Sequence, residues 1–150
     1  MSFITFSVQG KAYNATKTEV KARNFNIIVD EPQELGGEDD APNPVEYILA
    51  GYAGCLNVVT HLVAKEKNIE IRDLRINIHG EINPQRLFGQ SFDERAGFRS
   101  IHVEIEIQTN ASQEENEALI REVKERCPVN DNIANVTPVS YLVKQPVFLN

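Results

Sequence analysis

The segment Asn43–Val59, NPVEYILAGYAGCLNVV, decides the fold that this sequence predicts. Asn43 is a preferred N-cap residue, Pro44 suits the first helical position, and Glu46 stands where a capping-box carboxylate reaches back to the cap. These signals predict a helix that begins at Asn43 and ends at about Lys67. The apolar positions that recur at helical spacing are Ile48, Tyr52, Cys55, Val59 and Leu62 or Val63.

Small residues surround Cys55 on this predicted helix. They are Ala50, Gly51, Ala53 and Gly54. Two glycines inside a helix cost roughly 1 kcal/mol each relative to alanine, so packing must offset that cost. A face without side-chain bulk lets another backbone approach closely.

Strand patterns lie on both sides of the helix. Residues 1–30 alternate loosely and predict a three-stranded antiparallel meander, which a loop rich in Gly, Pro and acids, residues 33–44, separates from the helix. Residues 74–78 and 101–107 alternate with clear period two, so each segment should bury one face. Residues 83–98 show little periodicity and predict a long connection or a partly ordered lid.

A second helix and a final strand complete the predicted order. Ser112 and Glu115 have capping-box spacing, and Pro128 ends the helix that they begin. The residues expected to face inward from it are Ile120, Val123 and Cys127. The tail, residues 135–150, predicts one more strand at a sheet edge because it holds two prolines. Strands interleaved with two helices indicate a single α+β domain over residues 1–150, with antiparallel sheets.

Composition and charge narrow the class of partner. Fifteen Lys and Arg against twenty-two Asp and Glu give a formal charge of −7, which opposes binding to nucleic acid or to anionic membranes. The first residues, MSFITFSVQGK, lack the pattern of a secretory signal. The longest mostly apolar run, residues 47–59, is too short to span a bilayer as a helix. We therefore expect a cytoplasmic protein with neither a nucleic-acid partner nor a membrane.

Two cysteines, Cys55 and Cys127, are the strongest candidates for chemistry. Their separation excludes a CxxC motif, and the three histidines show no ligand spacing with them, so no metal site is predicted. A cysteine reacts as the thiolate, which needs a helix N-terminus or a nearby cation. Cys127 at a helix C-terminus is disfavoured as a thiolate, so Cys55 is the better attacker and Cys127 the better resolver.

The cation that would activate Cys55 is not fixed by the sequence. Arg23 is the only arginine before the helix. The other candidates are Lys17, Lys21, Arg86, Arg95 and Arg99. Judged from the two cysteines alone, inert packing as small hydrophobic side chains is the simpler interpretation.

The segment between the period-two strands offers a second hypothesis. It carries three phenylalanines, and a pocket that they border would hold an apolar or acyl-bearing small molecule while the cysteines merely pack. The candidate binding residues are Tyr52, Phe88, Phe92 and Phe98. A thiol hydrolase that uses Cys55 is a third possibility, but His61 lies on another face of the helix and cannot serve as its base.

Three segments together resemble the OsmC/Ohr family of osmotically inducible and organic-hydroperoxide-resistance proteins. They are DEPQELGGEDDAPNPVEYILAGYAGCLN, FGQSFDERAGFRSIHVEIEI and ERCPVNDNI, and the resemblance covers nearly the whole chain. It implies an intertwined homodimer with two active sites at the subunit interface. It also implies reduction of organic hydroperoxides in oxidative stress defence, with no cofactor: Cys55 is peroxidatic, Cys127 is resolving, and a thiol or dihydrolipoyl donor reduces their disulfide.

The sequence departs from the family pattern at two positions. Active members have a glutamate directly after the proline of the helix start, where this chain has Val45, so Glu46 is the candidate carboxylate. The family's activating arginine lies in the N-terminal hairpin, where Arg23 is the substitute candidate. The pattern is closest to the OsmC-like branch of the family.

Overall fold

The computed structural model describes residues 2–145, which form an α+β arrangement of antiparallel strands and three helices. The elements in chain order are β1 Gln9–Ala12, β2 Thr18–Ala22, β3 Phe25–Val29, α1 Pro44–Glu66, β4 Ile71–Glu81, β5 Ser100–Thr109, α2 Gln113–Arg126 and α3 Pro128–Ala134. A short 3₁₀ turn, Gln33–Leu35, lies in the loop before α1. The predicted α+β class is confirmed.

The predicted meander is confirmed. Strands β1, β2 and β3 pair in that order, all antiparallel. Arg23 lies in the tight turn between β2 and β3 with φ 55°, a left-handed conformation that is uncommon for a residue with a side chain. On α1, the Tyr47 hydroxyl donates to the Ile28 carbonyl at 2.7 Å and so ties the helix to the meander.

Helix α1 begins as predicted, with both hydrogen bonds of the capping box formed between Asn43 and Glu46. Its buried residues are Tyr52, Leu56, Val59, Thr60, Val63 and Ala64. This stripe packs on β4, α2 and α3. The predicted apolar positions Ile48 and Leu62 are instead 46% and 48% exposed, because no element of the described chain covers the other side of α1.

Helix α1 is 23 residues long and mostly apolar. By length and composition alone the whole helix is able to cross a membrane, whereas residues 47–59, the apolar run considered in the sequence, are too short to do so. Core helices of soluble proteins have the same length and composition, so a single helix of this kind is weak support for a membrane span.

The two period-two segments form the antiparallel hairpin β4–β5, as predicted. Alternate residues of both strands turn toward α1 and join the edge of the core; they include Ile76, Ile78, Ile101, Val103 and Ile107. The opposite face of this two-stranded sheet carries polar side chains, among them the directly paired His79 and His102. One side of this small sheet therefore supports the core, and the other faces away from it.

The C-terminal part differs from the prediction. Leu119 and Val123 are the buried residues of α2, while Ile120 is only half-buried, because the burial stripe lies one position earlier. Pro128 not only ends α2 but begins α3, since proline fits the first turn of a helix. The predicted final strand is wrong for residues 135–145, which pair with no strand among the described residues; residues 146–150 lie outside the described part.

Candidate active site

The thiols of Cys55 and Cys127 meet although 72 residues separate them in the sequence. Their Sγ atoms lie 2.9 Å apart. Cys127 is completely buried and Cys55 is half-buried, and both belong to the core where α1, α2 and α3 meet. A disulfide has an S–S distance of about 2.05 Å, so a shift of less than one ångström would bring the sulfurs to bonding distance.

Cys127 lies at the junction of two helices. It is the C-cap of α2 and also the N-cap of α3, where its Sγ accepts a hydrogen bond from the Asn130 backbone N–H at 3.4 Å. The backbone N–H of Val129 lies near Cys55 and favours its thiolate. The start of α3 therefore contacts both sulfurs.

Asn130 is a site residue that the sequence analysis missed. The Tyr52 hydroxyl donates to its Oδ1 at 2.5 Å, and its Nδ2 donates to the Lys124 carbonyl at 3.1 Å. A signal for it existed, because Cys127 followed by Pro128 reads as a second helix start as well as a stop. Asn130 is the third residue of the helix that begins there, the position whose backbone N–H an N-cap side chain can accept from.

The surroundings of Cys55 keep its thiol protonated. Burial is the main cause that raises the pKa of Cys55, and the hydrogen bond that it shares with Cys127 raises it further because it favours the protonated Cys55 thiol; the nearby Val129 N–H opposes this only in part. Burial likewise raises the pKa of Tyr52, with smaller contributions from Cys127 and Cys55. None of the groups that shift the pKa of Cys55 is a cation.

The predicted activating residues lie elsewhere in the described chain. The Arg23 guanidinium lies over the Phe25 ring at 5.1 Å in the β2–β3 turn. Glu46 accepts a hydrogen bond from the Asn43 N–H at 2.8 Å, and it precedes Cys55 by nine residues, about 13.5 Å along a helix. A single chain therefore brings neither Arg23 nor Glu46 to the sulfurs.

A cavity of about 440 Å³ opens beside Tyr52 and Asn130. Its apolar lining includes Ile48, Phe98, Ile101, Val103 and Ile133, and two arginines, Arg95 and Arg99, also line it. Among the predicted binding residues, Tyr52 and Phe98 thus come together.

Phe88 and Phe92 do not line this cavity and are 55% and 67% exposed. Phe92 lies under the Arg86 guanidinium, at 5.3 Å from its ring centroid. Arg86 also donates from Nη1 to the carbonyls of Phe92 and Glu94, both at 3.0 Å. Arg86 therefore organises the loop before β5, and these contacts keep its guanidinium within that loop.

A separate acidic cluster lies in the loop before α1. Oxygens of Asp30, Glu38 and Asp40 lie within 4.8 Å of one another, and the Lys17 ammonium pairs with Glu38 and Asp40. Burial on its own would raise the pKa of Asp30, but hydrogen bonds from backbone N–H groups, with Glu31 first among them, outweigh burial and lower it. A lysine thus supplies the positive charge in this cluster.

Comparisons with known proteins agree with this architecture. The family model described as OsmC-like protein matches residues 37–141. A protein of Mycoplasma genitalium named hydroperoxide reductase is 32% identical over 111 residues, which are 73% of this chain and 73% of the relative.

Solved structures show the same fold. The crystal structure of an OsmC-like protein from Mycoplasma pneumoniae superposes with a TM-score of 0.76 at 23% identity, covering 89% of both chains. That of an organic hydroperoxide resistance protein from Legionella pneumophila gives 0.68 at 24% identity, covering 89% of this chain and 91% of the other. The predicted OsmC-like fold of a single chain is confirmed.

Proposed function

We infer that this chain, which belongs to the OsmC/Ohr family of hydroperoxide resistance and redox proteins, reduces organic hydroperoxides with a pair of cysteine thiols. The observation that carries the proposal is the 2.9 Å approach of the Cys55 and Cys127 sulfurs inside the core. Two thiols within disulfide reach are what a peroxidatic and a resolving cysteine require. The named function of the Mycoplasma genitalium relative supports the same reaction.

The reaction takes place in three steps. The Cys55 thiolate attacks the terminal oxygen of ROOH, the O–O bond breaks, and the leaving alkoxide takes up a proton to give ROH and Cys55 sulfenic acid. The Cys127 sulfur then attacks the Cys55 sulfur, and hydroxide leaves with the thiol proton as water. An external thiol or dihydrolipoyl donor reduces the disulfide, and both cysteines return to thiols.

Efficient attack requires a lower pKa at Cys55 than a single chain provides. We propose that the active form is a homodimer whose second copy supplies the cation at each site. Arg23 is the candidate for this cation and Glu46 is the candidate carboxylate that would orient it. The apolar side of α1, uncovered in one chain, supports this assembly, since Val58 and Leu62 are 65% and 48% exposed there. The protein would act in the cytoplasm in defence against oxidative stress.

The test compares three reduced proteins: the wild type, Cys55→Ser and Cys127→Ser. Each is incubated with a slight excess of cumene hydroperoxide and followed by intact mass. We expect rapid loss of two hydrogens in the wild type, a trapped sulfenic acid in Cys127→Ser and no reaction in Cys55→Ser. Slow and equal oxidation of all three proteins would refute the proposal.

A binding function is the second candidate, and the cavity beside Tyr52 favours it. Its apolar lining and two arginines suit an apolar ligand with an anionic group. In that case decanoate should raise the melting temperature of the wild type and of Cys55→Ser equally, while Phe98→Ala should abolish the shift. Absence of any shift in the wild type would count against this candidate.

A further inference from the structure

The side chain of Asn130 connects all three helices around the sulfurs. Its Oδ1 accepts from the Tyr52 hydroxyl of α1 at 2.5 Å, and its Nδ2 donates to the Lys124 carbonyl of α2 at 3.1 Å. Its backbone N–H, in the first turn of α3, donates to the Cys127 Sγ at 3.4 Å. Both polar ends of one amide are thus used, and the backbone of the same residue touches a reacting sulfur.

We propose that Tyr52 and Asn130 are positioning residues that hold the Cys127 thiol against Cys55 for disulfide formation, an inference that rests on the redox role proposed above. The direction of the Cys127 side chain depends on the backbone at the α2–α3 junction. Asn130 fixes that junction from the α3 side, and the Tyr52 hydroxyl fixes Asn130 to α1. The helix that carries Cys55 is thereby linked directly to the turn that aims Cys127.

The placement of Tyr52 suits this role. It precedes Cys55 by three residues, so both side chains lie on one face of α1, one turn apart. Only 7% of Tyr52 is exposed, and a buried hydroxyl must find a hydrogen-bond partner within the protein. The hydrogen bond to Asn130 satisfies that need, which holds the hydroxyl and the amide together.

The step that this geometry assists is condensation. Cys55 sulfenic acid and the Cys127 thiol form the S–S bond, while the S–O bond breaks and the hydroxyl departs with the thiol proton as water. No further reagent is consumed. Because the gain comes from orientation, a misplacement of the Cys127 sulfur by about 1 Å is enough to slow the step strongly.

The variant Tyr52→Phe tests the proposal, since it keeps the aromatic ring in the core and removes only the hydroxyl. Tyr47→Phe is the matched control, because Tyr47 lies on the same helix and its hydroxyl donates to the Ile28 carbonyl instead, at 2.7 Å. Asn130→Asp is a graded variant: it keeps an acceptor for Tyr52 but loses the donor to Lys124. Circular dichroism of each variant checks that it is folded.

The first measurement is equilibrium exchange with a glutathione redox buffer, which reports the effective concentration of Cys127 at Cys55 and needs no peroxide. We expect Tyr52→Phe to lower it about tenfold or more, Asn130→Asp to lower it less, and Tyr47→Phe to match the wild type. Equal values in Tyr52→Phe and the wild type, or an equal fall in both tyrosine variants, would overturn the proposal.

The second measurement separates this inference from the proposed function. After cumene hydroperoxide is added, dimedone traps the sulfenic acid, and the ratio of its decay rate to its formation rate should fall in Tyr52→Phe. If the wild type shows the expected exchange equilibria but no oxidation by peroxide, the peroxidase proposal fails while the positioning of Cys127 stands. An unchanged ratio in Tyr52→Phe would overturn the positioning role itself.

Discussion

Cys55 receives no activation from its own helix. It lies about three turns inside α1, where the backbone N–H groups already donate within the helix and the helix N-terminus is remote. Burial, followed by the hydrogen bond in which the Cys55 thiol is favoured as donor to Cys127, raises the pKa of Cys55 above its ordinary value of 9.0. In one chain the two sulfurs therefore lie close together, but the Cys55 thiol stays mostly protonated at neutral pH.

This raised pKa predicts how the reactivity of Cys55 depends on pH. Only the thiolate attacks, so in a chain without its proposed second copy the rate should climb through pH 9 without a plateau near neutrality, and Gly54→Val, a substitution that blocks the proposed dimer, is the form in which to measure it. The rate of Cys55 alkylation by iodoacetamide, located by peptide mass, measures this. Because Cys127 contributes to the shift, the profile of Cys127→Ser should move to lower pH. The wild type should instead reach a plateau nearer pH 7, because the proposed dimer brings a cation to the sulfur; a climbing profile like that of Gly54→Val would contradict this source of charge.

Asp30 holds the loop before α1 in place through its side chain. Its Oδ2 accepts from the backbone N–H groups of Glu38 and Asp40, at 3.1 and 3.3 Å, and the side chain is fully buried. Hydrogen bonds favour the ionised form more than burial disfavours it, so its pKa is lowered. The carboxylate therefore orders a loop that would otherwise lack regular backbone pairing.

The lowered pKa of Asp30 makes stability depend on pH in a defined direction. A carboxyl with a lower pKa in the folded state stabilises the fold above its unfolded value of about 3.9, and this contribution is lost as pH falls through the folded pKa. Asp30→Asn should therefore be less stable than the wild type at pH 7, and the difference should shrink toward pH 3. Urea unfolding at pH 7 and pH 3 measures this difference in stability, and Asp93→Asn, at an exposed position, is the control. A difference that is independent of pH would contradict the charge argument.

A contact between strand β4 and the loop before β5 helps to shape the cavity beside Tyr52. Gly80 lies in β4, and a Cβ built there would approach the Phe98 Cδ1 to 2.6 Å and the Ser100 carbonyl oxygen to 3.2 Å. Phe98 also lines the cavity beside Tyr52. The absence of a side chain at Gly80 therefore allows the end of the loop to fold back onto the sheet.

Gly80→Ala should displace the Phe98 ring and destabilise the protein by about 1–3 kcal/mol, the usual cost of overpacking. Thermal or urea unfolding gives the value. Gly10→Ala is the control, because the nearest atom to its added Cβ, Thr18 Cγ2, would lie at an ordinary 3.6 Å. If Gly80→Ala were as stable as the control, Phe98 would not be packed as described.

The elements that could be predicted from the sequence are those specified by nearby residues. Both capping boxes, Asn43 with Glu46 and Ser112 with Glu115, form because their partners are three residues apart. Helix α3 was missed, since proline is both a stop and a start signal, and seven residues give too little periodicity to decide. The approach of Cys127 to Cys55 and the role of Asn130 depend on helix packing, which no local pattern specifies.

The predicted strand of the tail failed for a different reason. Its sequence alternates as a strand does, with Val139, Tyr141 and Val143 on one side, and those three side chains are 71%, 92% and 87% exposed. A strand forms only against another strand edge. In the described part of a single chain the tail has no such edge, so its pattern is left without the pairing it needs.

The accessible surface of the chain is larger than that of a compact monomer, as expected if a partner covers part of it. The chain has 12200 Å² of accessible surface, whereas a compact monomer of 16.9 kDa has roughly 7,700 Å². Obligate subunit interfaces bury about 2,000–5,000 Å² over both partners, or about 1,000–2,500 Å² from each, so the excess on one chain is more than large enough to supply such an interface. The uncovered side of α1, where Gly51, Gly54, Val58 and Leu62 lie, is part of the exposed area. A second copy is the occupant that we propose for it.

Gly54→Val distinguishes a solitary chain from the proposed dimer. In the described part of one chain nothing lies within 4 Å of a Cβ at Gly54, so valine fits and, replacing glycine inside a helix, should leave stability equal or slightly higher. If a second backbone crosses at this small-residue face, the added side chain blocks it. We expect sedimentation equilibrium to give twice 16.9 kDa for the wild type and a shift toward 16.9 kDa for Gly54→Val. Glu125→Val, at an exposed position of α2, is the control and should sediment as the wild type does. A folded wild-type monomer would refute the dimer and would leave Cys55 without its proposed source of positive charge.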